Sequence, residues 1–203
     1  MTRWLLLALA IAAAWYAWPS REVKHGPGVV VAGVPVQQEL RGSAPRLSKA
    51  GYEIRPLARF EIVARVLGVE RYRFGREAEL SPVDLALGWG RMSDSAVLER
   101  ITISQGQRLY YWRTPEFPIP RREIETSSAN MHMIPADAVV ARGLDDVRRG
   151  QIVAAAAGPV RGRVPRRRAA LPGKPGVAAR ALPVARDAEP VSRAVAHDVG
   201  RAV

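Results

Sequence analysis

His132 is the only histidine between residues 50 and 150, and it sits in Ser127-Ser128-Ala129-Asn130-Met131-His132-Met133. An imidazole beside hydroxyl and amide side chains has the makings of a general base, or of a nucleophile's partner. A weak hydrolase acting through His132 is therefore the sharpest chemical reading open to this chain. No nucleophile motif accompanies it: Gly-x-Ser-x-Gly, His-Glu-x-x-His and Ser-x-x-Lys are all absent. A lone histidine in such a setting more often serves as a hydrogen-bonded structural residue. Met131, Met133 and Ile134 would then pack in a core, while Ser128 and Asn130 satisfy backbone groups in a turn.

Metal chemistry would need three or four ligands in one place. There is no cysteine, and Asp84, Asp94 and Asp137 are scattered along the chain, so neither a metal nor a cofactor is expected. Gly88-Trp89-Gly90 lacks the spacing and the following Lys-Ser/Thr of a phosphate loop. It reads as a helix stop with Trp89 as a core anchor. Arg71, Arg73 and Arg76 alternate with Tyr72 and Phe74, a pattern that could bind nucleic acid. Glu70, Glu77 and Glu79 surround them, and residues 50–150 carry a net charge of only +1. The pattern therefore favours a solvated, ion-paired face.

Several elements must position these groups. Tyr52, Ile54, Phe60, Ile62, Ala64 and Val66 fall on even positions and charged residues on most odd ones, the period of a half-buried strand, with a break at Pro56. Arg71-Tyr72-Arg73-Phe74 gives a second alternation, closed by Gly75. Ser81-Pro82-Val83-Asp84 reads as a helix start, and Ser93-Asp94-Ser95 as another. Residues 101–104 and 109–112 read as strand, turn and strand around Gln105-Gly106-Gln107. The prolines of 114–120 mark a loop. Pro135 opens a third helix with Val139, Val140, Leu144 and Val147 on its apolar side, ended by Arg149-Gly150. Ile152-Val153 begins a further strand. The fold class expected is α+β: a small antiparallel barrel, OB-like in form, or a curled sheet, with short helices inserted between strands.

The 203 residues divide into unlike segments. Trp4 to Trp18 is a charge-free run with aromatics at both ends. That suits a single-pass signal anchor over residues 1–19, held in the bilayer through residues 4–18. At about 1.5 Å per residue its fifteen residues span about 22 Å. The shorter alternative is a signal peptide cleaved after Ala12-Ala13-Ala14, but bulky Trp15 and Tyr16 suit cleavage less well. The basic residues on the two sides nearly balance, so orientation is open. A body exported to the periplasmic side of a bacterial inner membrane is favoured over the cytoplasmic face. Residues 20–49 read as an extended Pro/Gly-containing linker, including the apolar patch 28–34. Residues 50–153 form the folded body.

Residues 154–203 read as a disordered basic tail. From Gln151 onward, 43 of 53 residues are Ala, Val, Arg, Pro or Gly, none is aromatic, and the net charge is +7. The formal charge of +12 thus resides mostly here. A GC-rich gene read in the wrong frame from between about Gly150 and Gly158 would give the same composition. The chain's 28 Arg against 3 Lys also point to a GC-rich gene. Arg166-Arg167-Arg168 would meet anionic lipid or nucleic acid if the tail is genuine.

Two stretches, SPVDLALGWG at 81–90 and SANMHMIPA at 128–136, resemble the motifs of a family of uncharacterised bacterial proteins with one N-terminal membrane anchor. The resemblance covers about half the chain and implies no established activity. It also implies that strands with aromatic residues should follow the third helix, and the chain departs from that pattern at about Ala154. Together these readings make the expected function that of a membrane-anchored, non-enzymatic interaction domain. Its expected partners are the lipid bilayer and another envelope component. A hydrolase using His132 and a membrane-tethered nucleic-acid binder are the alternatives, the latter disfavoured.

Overall fold

The computed structural model describes residues 3–9, 22–40, 42, 46–163 and 176–181. Residues 3–9 are helical (α1). Two short strands follow, β1 (Val36–Glu39) and β2 (Leu47–Lys49), and then β3 (Tyr52–Pro56) and the long β4 (Ala58–Arg71). Next come α2 (Arg76–Leu80), β5 (Val83–Gly88), a 3-10 helix (Gly90–Ser93) and α3 (Ser95–Leu98). A hairpin of β6 (Thr102–Gly106) and β7 (Leu109–Arg113) leads through a loop to α4 (Arg121–Thr126) and β8 (Ser128–Pro135). The described chain ends with α5 (Ala138–Asp145), β9 (Ile152–Arg163) and β10 (Gly176–Ala181).

The alternation over residues 52–66 does produce strands, and Pro56 marks the break between β3 and β4. Both belong to an eight-stranded sheet ordered β1-β4-β5-β8-β10-β9-β3-β2. A further pairing of β4 with β9 curls the sheet, because β9 runs antiparallel to β4 (Phe60↔Ala157 to Arg65↔Ile152) and then to β3. The class is α+β, mostly antiparallel, with few and short helices. It is not the all-antiparallel barrel expected: β8 pairs parallel with β10, and β1, β2 and β3 lie outside the circuit β4-β5-β8-β10-β9. The β6–β7 hairpin is a separate two-stranded sheet.

Two cores lie on opposite faces of β4, β5 and β8. Val83, Leu85 and Leu87 of β5 and Ala129, Met131 and Met133 of β8 join Ile62, Ala64 and Val66 on one face. Val140, Leu144 and Val147, from α5 and the turn after it, cover that face together with Trp89. On the other face Leu67, Ala86, Met92, Ile119 and Ile124 pack under Ile103, Tyr110 and Trp112 of the hairpin. A strand covered on both sides has no polar face, so β5 is buried at all six positions.

That double burial is why Ser81-Pro82-Val83-Asp84 begins a strand and not the expected helix. Gly88-Trp89-Gly90 accordingly ends a strand rather than stopping a helix. The second alternation fails too: β4 ends at Arg71, and Phe74 lies 92% exposed in the turn before α2. At Ser93-Asp94-Ser95 the expected helix is present, and the Asp94 carboxylate accepts from Ala96 N–H. Pro135 closes β8 rather than opening α5, whose cap is Asp137, accepting from Val139 and Val140 N–H. Val139, expected on the buried side of that helix, is exposed. The helix α4 has no counterpart in the sequence reading.

Residues 22–39 are not a linker. Val31 is buried against the core, its N–H donating to Ser93 Oγ and its carbonyl accepting from Gly90 N–H. Val23 N–H donates to the Arg149 carbonyl. Gly150 lies beneath this strap at φ +83°, and a Cβ there would sit 1.9 Å from the Val23 carbonyl oxygen. The folded body therefore begins near Glu22 rather than at residue 50.

Nor does order stop at Val153. Ala154–Ala157 pair with β4, residues 160–163 pair with β3, and Gly176–Ala181 pair with β9 and β8. Alanine is a weak strand former, but β4 and β3 offer a continuous row of backbone donors and acceptors, and pairing with them needs no particular side chain. The rest of the expected tail, with Arg166–Arg168, lies outside the described residues. So do residues 10–18 of the expected anchor. Among the described residues no helix is long and apolar enough to cross a membrane.

Candidate functional site

The two motifs SPVDLALGWG and SANMHMIPA lie side by side as β5 and β8, with Asp84 opposite His132, Ala86 opposite Asn130 and Gly88 opposite Ser128. On β8, residues of odd number face the α5 core, while Ser128, Asn130 and His132 face the hairpin side. Each even-numbered residue meets a specific group. Ser128 Oγ donates to the Ile124 carbonyl at 2.6 Å and stands 2.9 Å from Tyr110 Oη. Asn130 Oδ1 accepts from Gln105 Nε2 at 2.8 Å. His132 Nδ1 stands 2.9 Å from Asp84 Oδ1. Ser128 and Asn130 tie a hairpin to a strand, and both also satisfy backbone groups, Ser128 the Ile124 carbonyl at the last turn of α4 and Asn130 the Arg108 carbonyl at the hairpin turn.

Asp84 is the centre of this seam. Its side chain is 1% exposed, and Oδ1 accepts from Arg108 Nη1 at 2.9 Å. Arg108 comes from the tip of the β6–β7 hairpin, where Gln107 and Arg108 adopt φ of 53° and 65°. The positive φ values make the tight turn that points the Arg108 guanidinium down at the sheet. The same guanidinium nitrogen donates to the Ser81 carbonyl at 2.8 Å, and the guanidinium stacks 3.6 Å over the Tyr72 ring. Tyr72 Oη in turn accepts from the Arg108 backbone N–H. Burial pushes the Tyr72 phenol above its ordinary value. Tyr110 shifts the same way for the same reason, partly offset by Ser128.

Three buried polar atoms here lack a hydrogen-bond partner: Asp84 Oδ2, Ser81 Oγ and His132 Nδ1. The last of these is close to Asp84 Oδ1 but not aligned with it for a linear bond. The imidazole is 22% exposed. Serine, aspartate and histidine thus meet in one place, yet the carboxylate oxygen nearest the imidazole is already taken by Arg108.

Close approach also shapes the seam. Gly68 lies beneath the hairpin where a Cβ would fall 2.4 Å from Gln105 Oε1, so a side chain at 68 would push the Gln105 amide away from Asn130.

Compared with known protein families, curated proteins and solved structures, the chain finds no match.

The other candidates disperse. Asp94 and Asp137 are helix caps at separate places, and neither joins Asp84. Arg71 donates through Nη2 to the carbonyls of Asp145 and Val147, closing the C-terminal end of α5. Arg76 lies 5.9 Å from the Tyr52 ring centroid. Arg71 and Arg76 thus each meet another part of the chain, and Arg73 is exposed.

A second site was not foreseen from the sequence. A half-open cavity of about 330 Å³ lies between the strap, β4 and α3, with Arg65 at its floor. Arg65 is 5% exposed and donates through Nη1 to the Ser93 carbonyl (2.9 Å) and to Ser95 Oγ (2.8 Å). Desolvation holds its guanidinium below the ordinary value. The walls mix Leu67, Leu98 and Ile103 with Lys24, His25 and Glu99. At the rim Glu22 pairs with Arg149 at 3.4 Å. The signal in the sequence was weak: a charged residue among the apolar ones of β4, facing a strap that looked like a linker.

Proposed function

We propose that this protein is a membrane-tethered, non-enzymatic interaction domain of the bacterial envelope, a member of the anchored family that its two motifs resemble. The observation that carries the reading is the aromatic face of the hairpin and the loop behind it. Trp112 of β7 packs one side on the core beneath the hairpin and is only half buried, Phe117 beside it is 50% exposed, and Tyr111 points to the opposite face of the strand. Trp112 and Phe117 meet edge to face at 6.1 Å, and the Arg121 guanidinium lies 5.9 Å from the Trp112 centroid. Aromatic and arginine side chains clustered at a surface are the types that dominate binding energy between proteins.

The polar seam supports the same reading. The Asp84 carboxylate that could orient His132 instead holds Arg108, and the surrounding groups join the hairpin to the sheet. In this role the cluster fixes a recognition surface rather than performing hydrolysis. The tether is the charge-free run 4–18, of which residues 4–7 and 9 present exposed Trp and Leu side chains.

The experiment is site-specific photo-crosslinking in cells with the crosslinking residue at Trp112, together with carbonate extraction of membranes. The expected result is a discrete crosslinked protein from a carbonate-resistant pool. A soluble product beginning near Trp15, or crosslinks no different from those of a probe at the remote Val139, would refute the reading. A variant His132→Ala that abolishes an ester hydrolysis seen with the intact chain would favour the hydrolase.

A further inference from the structure

Burying a guanidinium without a counter-ion costs free energy, and proteins pair such groups or bring an anion to them. Among the described residues no carboxylate contacts Arg65; its donors go to a carbonyl and a hydroxyl, both neutral. These two bonds use one nitrogen. Neither Nε nor Nη2 is among the sealed, partnerless polar atoms, and the guanidinium lies at the floor of the cavity. The charged side chains around the space are Lys24, Arg65 and Arg149 against Glu22 and Glu99. Glu22 is engaged by Arg149 at the rim, Glu99 lines the space just past the end of α3, and Asp94 acts on Arg65 from beyond contact distance. The lining side chains sum to a single positive charge in excess, and Arg65 is the most deeply buried of them.

The remaining wall is apolar. Leu67, Leu98 and Ile103 face the space beside the guanidinium. A cavity with one fixed cationic group and an apolar side selects a ligand of matching character. We propose that this cavity binds a small organic oxyanion with an apolar body: the anionic oxygens on the free edge of Arg65, the body against Leu67, Leu98 and Ile103. A carboxylate suits the flat fork of a guanidinium, which it can meet through two parallel bonds. Lys24 at the mouth would add attraction without dictating geometry. This site borders the hairpin, since Ile103 pairs with Trp112 across β6 and β7, but its existence does not depend on the function proposed above.

The test is calorimetric titration of the full chain in detergent with 3-phenylpropionate. Control titrations use 3-phenylpropanol, which lacks the charge, and inorganic phosphate, which lacks the body. Two variants report on the two halves of the site. Arg65→Met removes the cation. Leu98→Trp fills the apolar side from α3 and leaves Arg65 and its two hydrogen bonds in place, so a loss of fold in the first variant does not remove the test. The expected result is saturable binding of the carboxylate, at least tenfold weaker in each folded variant, with no saturable binding of the alcohol. Phosphate should bind at least tenfold more weakly than the carboxylate. Absence of saturable carboxylate binding would overturn the proposal. So would equal affinity for the alcohol, or undiminished affinity in Leu98→Trp. Phosphate binding as tight as the carboxylate would overturn the assigned ligand class.

Discussion

Replacing Asp84 by leucine removes the one carboxylate that faces Arg108 from within the sheet. Arg108 is left with its side chain 14% exposed, the Ser81 carbonyl, the Tyr72 face and Glu77 at 3.9 Å. Breaking a buried ion pair from one side generally costs about 3–5 kcal/mol. The cation–π contact with Tyr72 persists, at about 0.5–2 kcal/mol, and the residual exposure gives the guanidinium some water. We therefore expect a loss of about 2–4 kcal/mol for Asp84→Leu. At roughly 3–5 °C per kcal/mol for a body of this size, the melting temperature should fall by about 6–20 °C. Replacing both partners, as Asp84→Leu with Arg108→Met, removes the stranded charge and should recover at least half of the loss. Urea denaturation of the single and double variants, followed by circular dichroism, measures the coupling. A single-variant loss below about 1 kcal/mol, or strictly additive effects, would refute the view that this pair pins the hairpin to the sheet.

Other expectations follow from the same contacts. Tyr110 is buried with its pKa raised, so the folded state keeps a proton that the unfolded chain releases above about pH 10. Its contribution is complete below that pH and is lost as pH rises through the folded value. Tyr110→Phe should flatten the fall of stability above pH 10, while costing about 1 kcal/mol at neutral pH through the contact with Ser128; an unchanged alkaline slope counts against the assignment. Asp137→Ala removes a cap that serves two N–H groups of α5 and should cost about 1 kcal/mol by chemical denaturation, whereas Asp137→Asn should cost less. Gly150→Ala places a methyl group against the Val23 carbonyl at a positive φ and should cost about 1–3 kcal/mol. Limited proteolysis should then cut near residues 22–25 before it cuts elsewhere, and an unchanged cleavage pattern would show that the strap does not depend on this glycine.

How legible the fold was depends on how many faces each strand buries. The alternation of β3 and β4 was readable because one face meets solvent. The same signal runs through Ser128-Ala129-Asn130-Met131-His132-Met133, with Met131 and Met133 in the core and the polar residues on the other face. Nothing comparable marks β5: with cores on both sides its residues do not alternate, and a Pro-Val-Asp opening resembles a helix start. Asp84 was visible only as one scattered carboxylate. Its partner stands 24 residues away, at a turn whose backbone is fixed by tertiary contact rather than by glycine. The cavity was invisible because its outer wall is residues 22–25, and composition alone does not separate a strap from a spacer. Ala154 onward reads as coil by composition and enters the sheet because a partner strand is waiting.

The strap along Val23–Val31 also sets a distance. Only Pro19, Ser20 and Arg21 separate Trp18 from Glu22, where contact with the body begins through Arg149. Four residue steps reach at most about 14 Å, even fully extended. A body joined to a bilayer through residues 4–18 would therefore ride at the surface on a leash shorter than its own width. Lys24 and Arg149, which line the Arg65 cavity, lie beside the point where that leash meets the body.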